Sequence, residues 1–94
     1  MNKAELIDEL ARRVDLAKTD ATRAVDALFG TDGIITSSLK SGDKVQITGF
    51  GSFQARKREA RTGRDPRTGN PIQIKASTQP AFKAGQGFKD ALNP

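Results

Sequence analysis

Arg56, Arg58, Arg61, Arg64 and Arg67, with Lys57 and Lys75, crowd into residues 54–75, opposed there only by Glu59 and Asp65. A guanidinium is a planar fork of donors that fits phosphate oxygens and base edges, whereas lysine offers a point charge. A five-to-two preference for arginine in this segment therefore points to recognition of a phosphate-bearing partner and not to solvation alone. Arg56 and Arg58 are two apart, which sets them on one face of an extended strand. Arg58, Arg61, Arg64 and Arg67 then recur every three residues into the stretch Gly63–Pro71, GRDPRTGNP, which contains no side chain suited to a core. Pro66 adds a rigid apolar wedge with no donor of its own.

The rest of the chain is nearly neutral. Residues 1–45 carry seven basic against eight acidic side chains, residues 54–75 seven against two, and the tail Lys83 and Lys89 against Asp90. The net charge of +5 is thus a local patch, the electrostatic footprint of a nucleic-acid binder. Other chemistries are excluded by composition. There is no cysteine and no histidine, hence no disulfide, no thiolate, no histidine base and no zinc site of the usual ligands. Asp8 and Glu9 are adjacent and do not face each other on a helix. Gly49-Phe50-Gly51 lacks the Gly-Lys-Ser/Thr continuation and the strand-to-helix setting of a phosphate loop, and reads as a strand bend with Phe50 and Phe53 in the core. We read no enzyme, no cofactor, no metal and no small-molecule substrate.

The elements that must hold the arginines follow from period and punctuation. Asn2 and Glu5 form a capping-box pattern, and Ile7, Leu10, Ala11 and Val14 give one apolar helical face. Ala21, Ala24, Val25 and Leu28 repeat it after a short join at residues 15–19, which predicts an antiparallel helical hairpin. Gly30 and Gly33 predict a kink or break before Ile35 and Leu39 resume the phase up to Gly42. Val45 and Ile47 then alternate with polar neighbours as a half-buried strand. Gln54 to about Arg61 and Ile72 to about Ser77 are polar on both faces, so they project as an arm tipped by GRDPRTGNP. Residues 81–92, with Phe82, Phe88, Ala91 and Leu92, read as a short last helix. Phe29, Phe50, Phe53, Phe82 and Phe88 complete a core that is thin for 94 residues. With disulfide and metal excluded, a dimer that shares its core is the remaining way to stabilise so small a scaffold. The N-terminal residues hold no apolar run, so neither a signal peptide nor a membrane span is expected, and the absence of cysteine agrees with a reducing cytoplasm.

Taken together, MNKAELI, DATRAVDALF, GDKVQITGFGSFQARKREARTGRDPRTGNPIQI and PAFKAG resemble the bacterial HU and integration host factor family of histone-like DNA-bending proteins, HU above all, along nearly the whole chain. The resemblance implies an α+β fold: a helical hairpin base, a three-stranded antiparallel sheet with an extended β-ribbon arm and a short C-terminal helix, in an intertwined dimer. It implies one domain over residues 1–94, with a helical dimerisation region at 1–42 and the DNA-binding arm at 54–77. Pro66 matches the proline that intercalates between base pairs in the minor groove. Arg56, Arg58, Arg61 and Arg64 match arm positions along groove and phosphates, with Arg67 and Lys75 beside them. Lys3 and Lys83 match positions on the body that hold flanking phosphates, and Phe50, Phe53 and Phe82 match the shared dimer core.

The implied function is architectural: bending, wrapping and compacting double-stranded DNA with little sequence preference, in the cytoplasm, on the nucleoid. A homodimer and a heterodimer with a paralogue both remain open. Duplex RNA is the competing nucleic acid, and basic arms docking on acidic protein or anionic lipid the competing class. The sequence departs from the family in three extra residues near Gly30–Gly33, in Asp65 where asparagine is usual, in Ala17 at the usual capping serine and in Gln86 at a common lysine.

Overall fold

The computed structural model describes residues 1–94. The chain forms two compact units, Met1–Ser41 and Gly42–Pro94. The first is helical: α1 (Lys3–Arg13), α2 (Lys18–Phe29) and α3 (Ile34–Lys40). The second holds β1 (Val45–Ile47), β2 (Gly51–Arg58), β3 (Arg61–Arg64), β4 (Pro71–Ile74), β5 (Ser77–Ala84) and α4 (Gln86–Leu92). No helix is long and apolar enough to cross a membrane.

The capping box forms as the spacing predicts: Glu5 N–H donates to Asn2 Oδ1 at 2.9 Å and Asn2 N–H to Glu5 Oε1 at 3.3 Å. α1 ends where Asp15 enters the left-handed region at φ 54° and Leu16 N–H reaches back to the Ala11 carbonyl at 2.9 Å, a Schellman closure without the usual glycine. At Ala17 no side chain caps α2, and the turn remains short nonetheless. Ile7, Ala21 and Val25 are buried, with Leu10 and Ala11 packed against them. That is the whole of the buried apolar core.

The break between α2 and α3 falls where the glycines predicted it, for a reason of contact. Gly30 and Gly33 have ordinary negative φ, but a Cβ would lie 2.6 Å from the Asp26 carbonyl oxygen at Gly30 and 2.9 Å from that of Ala27 at Gly33. Gly33 N–H donates to the Gly30 carbonyl at 2.8 Å, and Thr36 Oγ1 donates to the same oxygen at 3.1 Å. α3 then runs to Lys40, with Ser41 as its C-cap and Gly42 following at φ 87°.

In the second unit the sheet order is β1-β2-β5, all antiparallel, and β3 pairs with β4 in a separate two-stranded ribbon. Three strand readings differ from the sequence analysis. The arm strand does not run unbroken from Gln54 to Arg61: β2 starts at Gly51, stops at Arg58, and β3 resumes at Arg61. Its partner, read as Ile72 to about Ser77, is likewise split, β4 ending at Ile74 and β5 starting at Ser77. Residues 81–84 are strand and not helix. Phe82 lies opposite Phe53 in the β2–β5 ladder, where the edge of β2 supplies backbone partners that an isolated helical turn begun on Gly85 and Gly87 would lack. The last helix accordingly starts only at Gln86, with Gly85 N–H donating to the Phe50 carbonyl at 2.8 Å.

Residues 59–60 and 75–76 are paired with neither sheet, yet the ladders on both sides share one register. Arg58 faces Ser77 and Arg61 faces Ile74, three residues along each strand, with two unpaired residues between on either side. No residue is inserted on either side, so side-chain alternation continues across the gap.

Phe50, Phe53, Phe82 and Phe88 form one cluster in this unit. Phe50 stacks on Phe88 with centroids 4.7 Å apart, while Phe82 meets Phe53 at 4.8 Å and Phe50 at 5.5 Å. Gly51 is where the chain passes beneath the cluster: a Cβ there would stand 2.6 Å from the Phe82 ring and 2.6 Å from the Lys83 carbonyl oxygen. Phe29, which the sequence reading grouped with these four, belongs to the helical unit and is 57% exposed. Phe50 and Phe82 remain 43% and 42% exposed, too open for side chains of such area in a self-sufficient core.

Candidate nucleic-acid interface

Cross-strand partners share a face and neighbours along a strand alternate, so the register sorts the ribbon into two faces. On one lie Ser52, Gln54, Arg56 and Arg58 of β2, opposite Lys83, Ala81, Gln79 and Ser77 of β5. Beyond the gap the same face carries Lys75, then Thr62 opposite Gln73 and Arg64 opposite Pro71. It therefore bears Lys83, Arg56, Arg58, Lys75 and Arg64 with hydroxyl and amide side chains between them and no carboxylate. The other face continues from Phe53 and Phe82 through Ala55, Pro80, Lys57 and Thr78 to Glu59 and Ala76, and ends in Arg61, Ile74, Gly63 and Ile72. Gly63 is where Ile74 crosses, its terminal methyl 2.7 Å from where a Cβ would be.

The period-three run of arginines thus does not stay on one side. Arg58 and Arg64 share the cation face, whereas Arg61 stands on the opposite one beside Ile74, because a strand alternates every two residues. The sequence reading missed the amides of the cation face, Gln54, Gln73 and Gln79, and placed Lys57 without a side. Carrying the alternation from Gln54 along the arm and back through residues 71–84 would have found them.

Ion pairing separates the two units. In the helical unit Lys3 meets Asp26 at 2.7 Å, Lys18 meets Asp8 at 3.2 Å, Arg23 lies 3.8 Å from Asp20, and Arg12 and Arg13 share Glu9. The Arg12 guanidinium, hydrogen-bonded to Glu9, holds that carboxyl below its ordinary range. In the second unit Arg67, 3.9 Å from Asp65, is the one ion-paired cation. Arg56, Arg58, Arg61, Arg64, Lys75 and Lys83 have no carboxylate partner, and all are exposed. Lys3, read as a phosphate contact, is already engaged.

At the tip, Asp65 is a structural residue. Its Oδ1 accepts from Arg67 N–H at 2.9 Å, its own N–H donates to the Asn70 carbonyl at 2.8 Å, and its carbonyl accepts from Gly69 N–H at 2.7 Å. This Asx turn sets Pro66 on an exposed corner, and Gly69 at φ 72° closes the loop in a conformation that a side chain would strain. The Asp65 carboxylate supplies the acceptor the turn requires.

A ribbon with one cationic face and a proline-cornered tip, carried on a small α+β body, defines a nucleic-acid-binding architecture. The chain belongs to the family described as bacterial DNA-binding protein, whose model matches residues 1–93. Among curated relatives it is similar to DNA-binding protein HU-1 of Halalkalibacterium halodurans, 53% identical over 93 residues that span 99% of this chain and 100% of the relative. It is similar also to HU-beta of Serratia marcescens, 52% identical with the same coverage. Among solved structures, an Anabaena HU–DNA cocrystal structure matches with a TM-score of 0.86 at 41% identity, covering 100% of this chain and 99% of that one. HU from Thermotoga maritima matches at 0.65 and 33%, covering 98% of each.

Proposed function

We propose that this protein is a histone-like architectural DNA-binding protein that bends DNA, and that it does so without catalysing a reaction. The observation that carries the reading is the ribbon face on which Arg56, Arg58, Arg64, Lys75 and Lys83 stand exposed, without a carboxylate partner. Such a row suits a duplex backbone, whose condensed counterions are released as the cations replace them. Family membership and the likeness to a DNA-bound HU support it.

The finer assignments belong to the same reading. The cation face lines the minor groove and its phosphates, with Arg61 and Arg67 reaching adjacent backbone. Pro66, exposed on its corner, wedges a base step and kinks the duplex. Lys83 extends the stripe to flanking phosphates, and Lys3 joins it when it exchanges Asp26 for a phosphate. The open aromatic cluster around Phe50, Phe53 and Phe82 closes against a second copy, so that residues 1–42 and the sheet form the dimeric body and residues 54–77 the arm. Double-stranded DNA is the partner, the homodimer the working form and the bacterial nucleoid the location.

The test is energy transfer between dyes at the two ends of a duplex of about three helical turns, titrated with protein at two salt concentrations. The ends approach on saturation, and the titration moves to higher protein at higher salt. Binding with the ends still apart would reduce the ribbon to an electrostatic clamp, and duplex RNA would become the partner to try.

A further inference from the structure

The stem of the ribbon holds a side-chain pair that phosphate neutralisation leaves unexplained. Arg58 Nε donates to Gln79 Oε1 at 2.8 Å, diagonally across the β2–β5 ladder on the cation face. A guanidinium has donors only, so this contact fixes which way the amide turns. The oxygen is committed to Arg58, and the two N–H donors of Nε2, on an exposed residue, have no partner in the protein.

We infer that Gln79, oriented by Arg58, reads base edges in the minor groove and biases this protein toward A·T steps. The inference rests on the reading that the cation face meets that groove. There an A·T pair in either orientation shows only acceptors, adenine N3 and thymine O2, whereas a G·C pair adds the guanine N2 amino donor. The Nε2 donors are satisfied over A·T and meet another donor over G·C. A free glutamine would show no such bias, because its amide could rotate and offer the oxygen to the guanine amino group. Arg58 removes that option, and so acts as the positioning residue for Gln79.

Inosine provides the test, since it lacks the 2-amino group of guanine and leaves the major-groove edge unchanged. Affinities of the full-length protein are measured for three duplexes of equal length, built from A·T, I·C or G·C pairs. The expected result is binding to A·T and I·C about fivefold tighter than to G·C, the scale of one well-made hydrogen bond. Gln79→Ala brings I·C and G·C within about twofold, while the slope of log affinity against log salt, which counts phosphate contacts, stays as in the parent. Gln79→Glu, which offers only acceptors, reverses the order. Equal binding of I·C and G·C by the parent, or undiminished discrimination by Gln79→Ala, overturns the inference. Failure to bind any of the three duplexes in a salt-dependent manner overturns the functional reading too, and is seen before any variant is compared.

Discussion

Three residues show how single side chains set function and stability. Pro66 contributes no hydrogen bond and no charge; on its proposed wedge role, Pro66→Ala should lower the bend read by energy transfer far more than the affinity, and equal losses would argue against intercalation. Asp26 holds Lys3 in an exposed pair of the kind that contributes roughly 0–1 kcal/mol to folding. Asp26→Ala should therefore hardly move the melting temperature, yet tighten DNA binding about two- to threefold at low salt, because a carboxylate that competes with phosphate for Lys3 is gone. Gly51 is the opposite case, a position with no room. Gly51→Ala presses a methyl into the Phe82 ring and the Lys83 carbonyl and should destabilise by about 1–3 kcal/mol in thermal unfolding, independent of DNA.

At the scale of elements, the ribbon's register determines what each arginine can do. Arg58 lies among the cations and Arg61 beside Ile74, so Arg58→Ala should weaken duplex binding more than Arg61→Ala, and Arg58→Ala should lower the salt slope by about one phosphate contact. Equal slopes for the two variants would mean that the faces are not distinguished by DNA. How far these elements were legible in the sequence depends on what held them. The capping box at Asn2 and Glu5 and the apolar stripe Ile7, Leu10 and Ala11 are local, and both were readable, whereas Val14, read into the same stripe, is 53% exposed at the end of α1. The break at Gly30–Gly33 was readable in place but not in cause, since the close approach to the Asp26 and Ala27 carbonyls depends on three-dimensional contact. The strand at Ser77–Ala84 was misread in part because Phe82 and Ala84 are held by ladder partners some thirty residues earlier, which no local period reveals. The arginine cluster announced the site from composition alone, but its division between faces required the register.

For the molecule as a whole, surface area is the governing quantity. The chain leaves Phe50 and Phe82 43% and 42% exposed and buries only Ile7, Ala21 and Val25 among its apolar side chains. Three buried side chains cannot stabilise 94 residues against chain entropy. Sedimentation of the purified protein should therefore give a dimer at micromolar concentration, and Phe82→Ala should shift it toward an unfolded monomer, with melting temperature becoming steeply dependent on protein concentration. A folded, concentration-independent monomer would contradict the shared core.

The gap at residues 59–60 and 75–76, which interrupts the ladders without shifting them, sets a rule for arm length. Because the strands resume in phase, adding or deleting two residues on each side at this gap would change the reach of the tip and leave Arg64 on the cation face. One residue on each side would turn the tip over and present Ile72 and Ile74 to the duplex in place of Arg64. Arms of this design can therefore be lengthened or shortened only in paired steps, and, on the proposed wedge role of Pro66, the distance between two kinks in a bound duplex would change in steps as well.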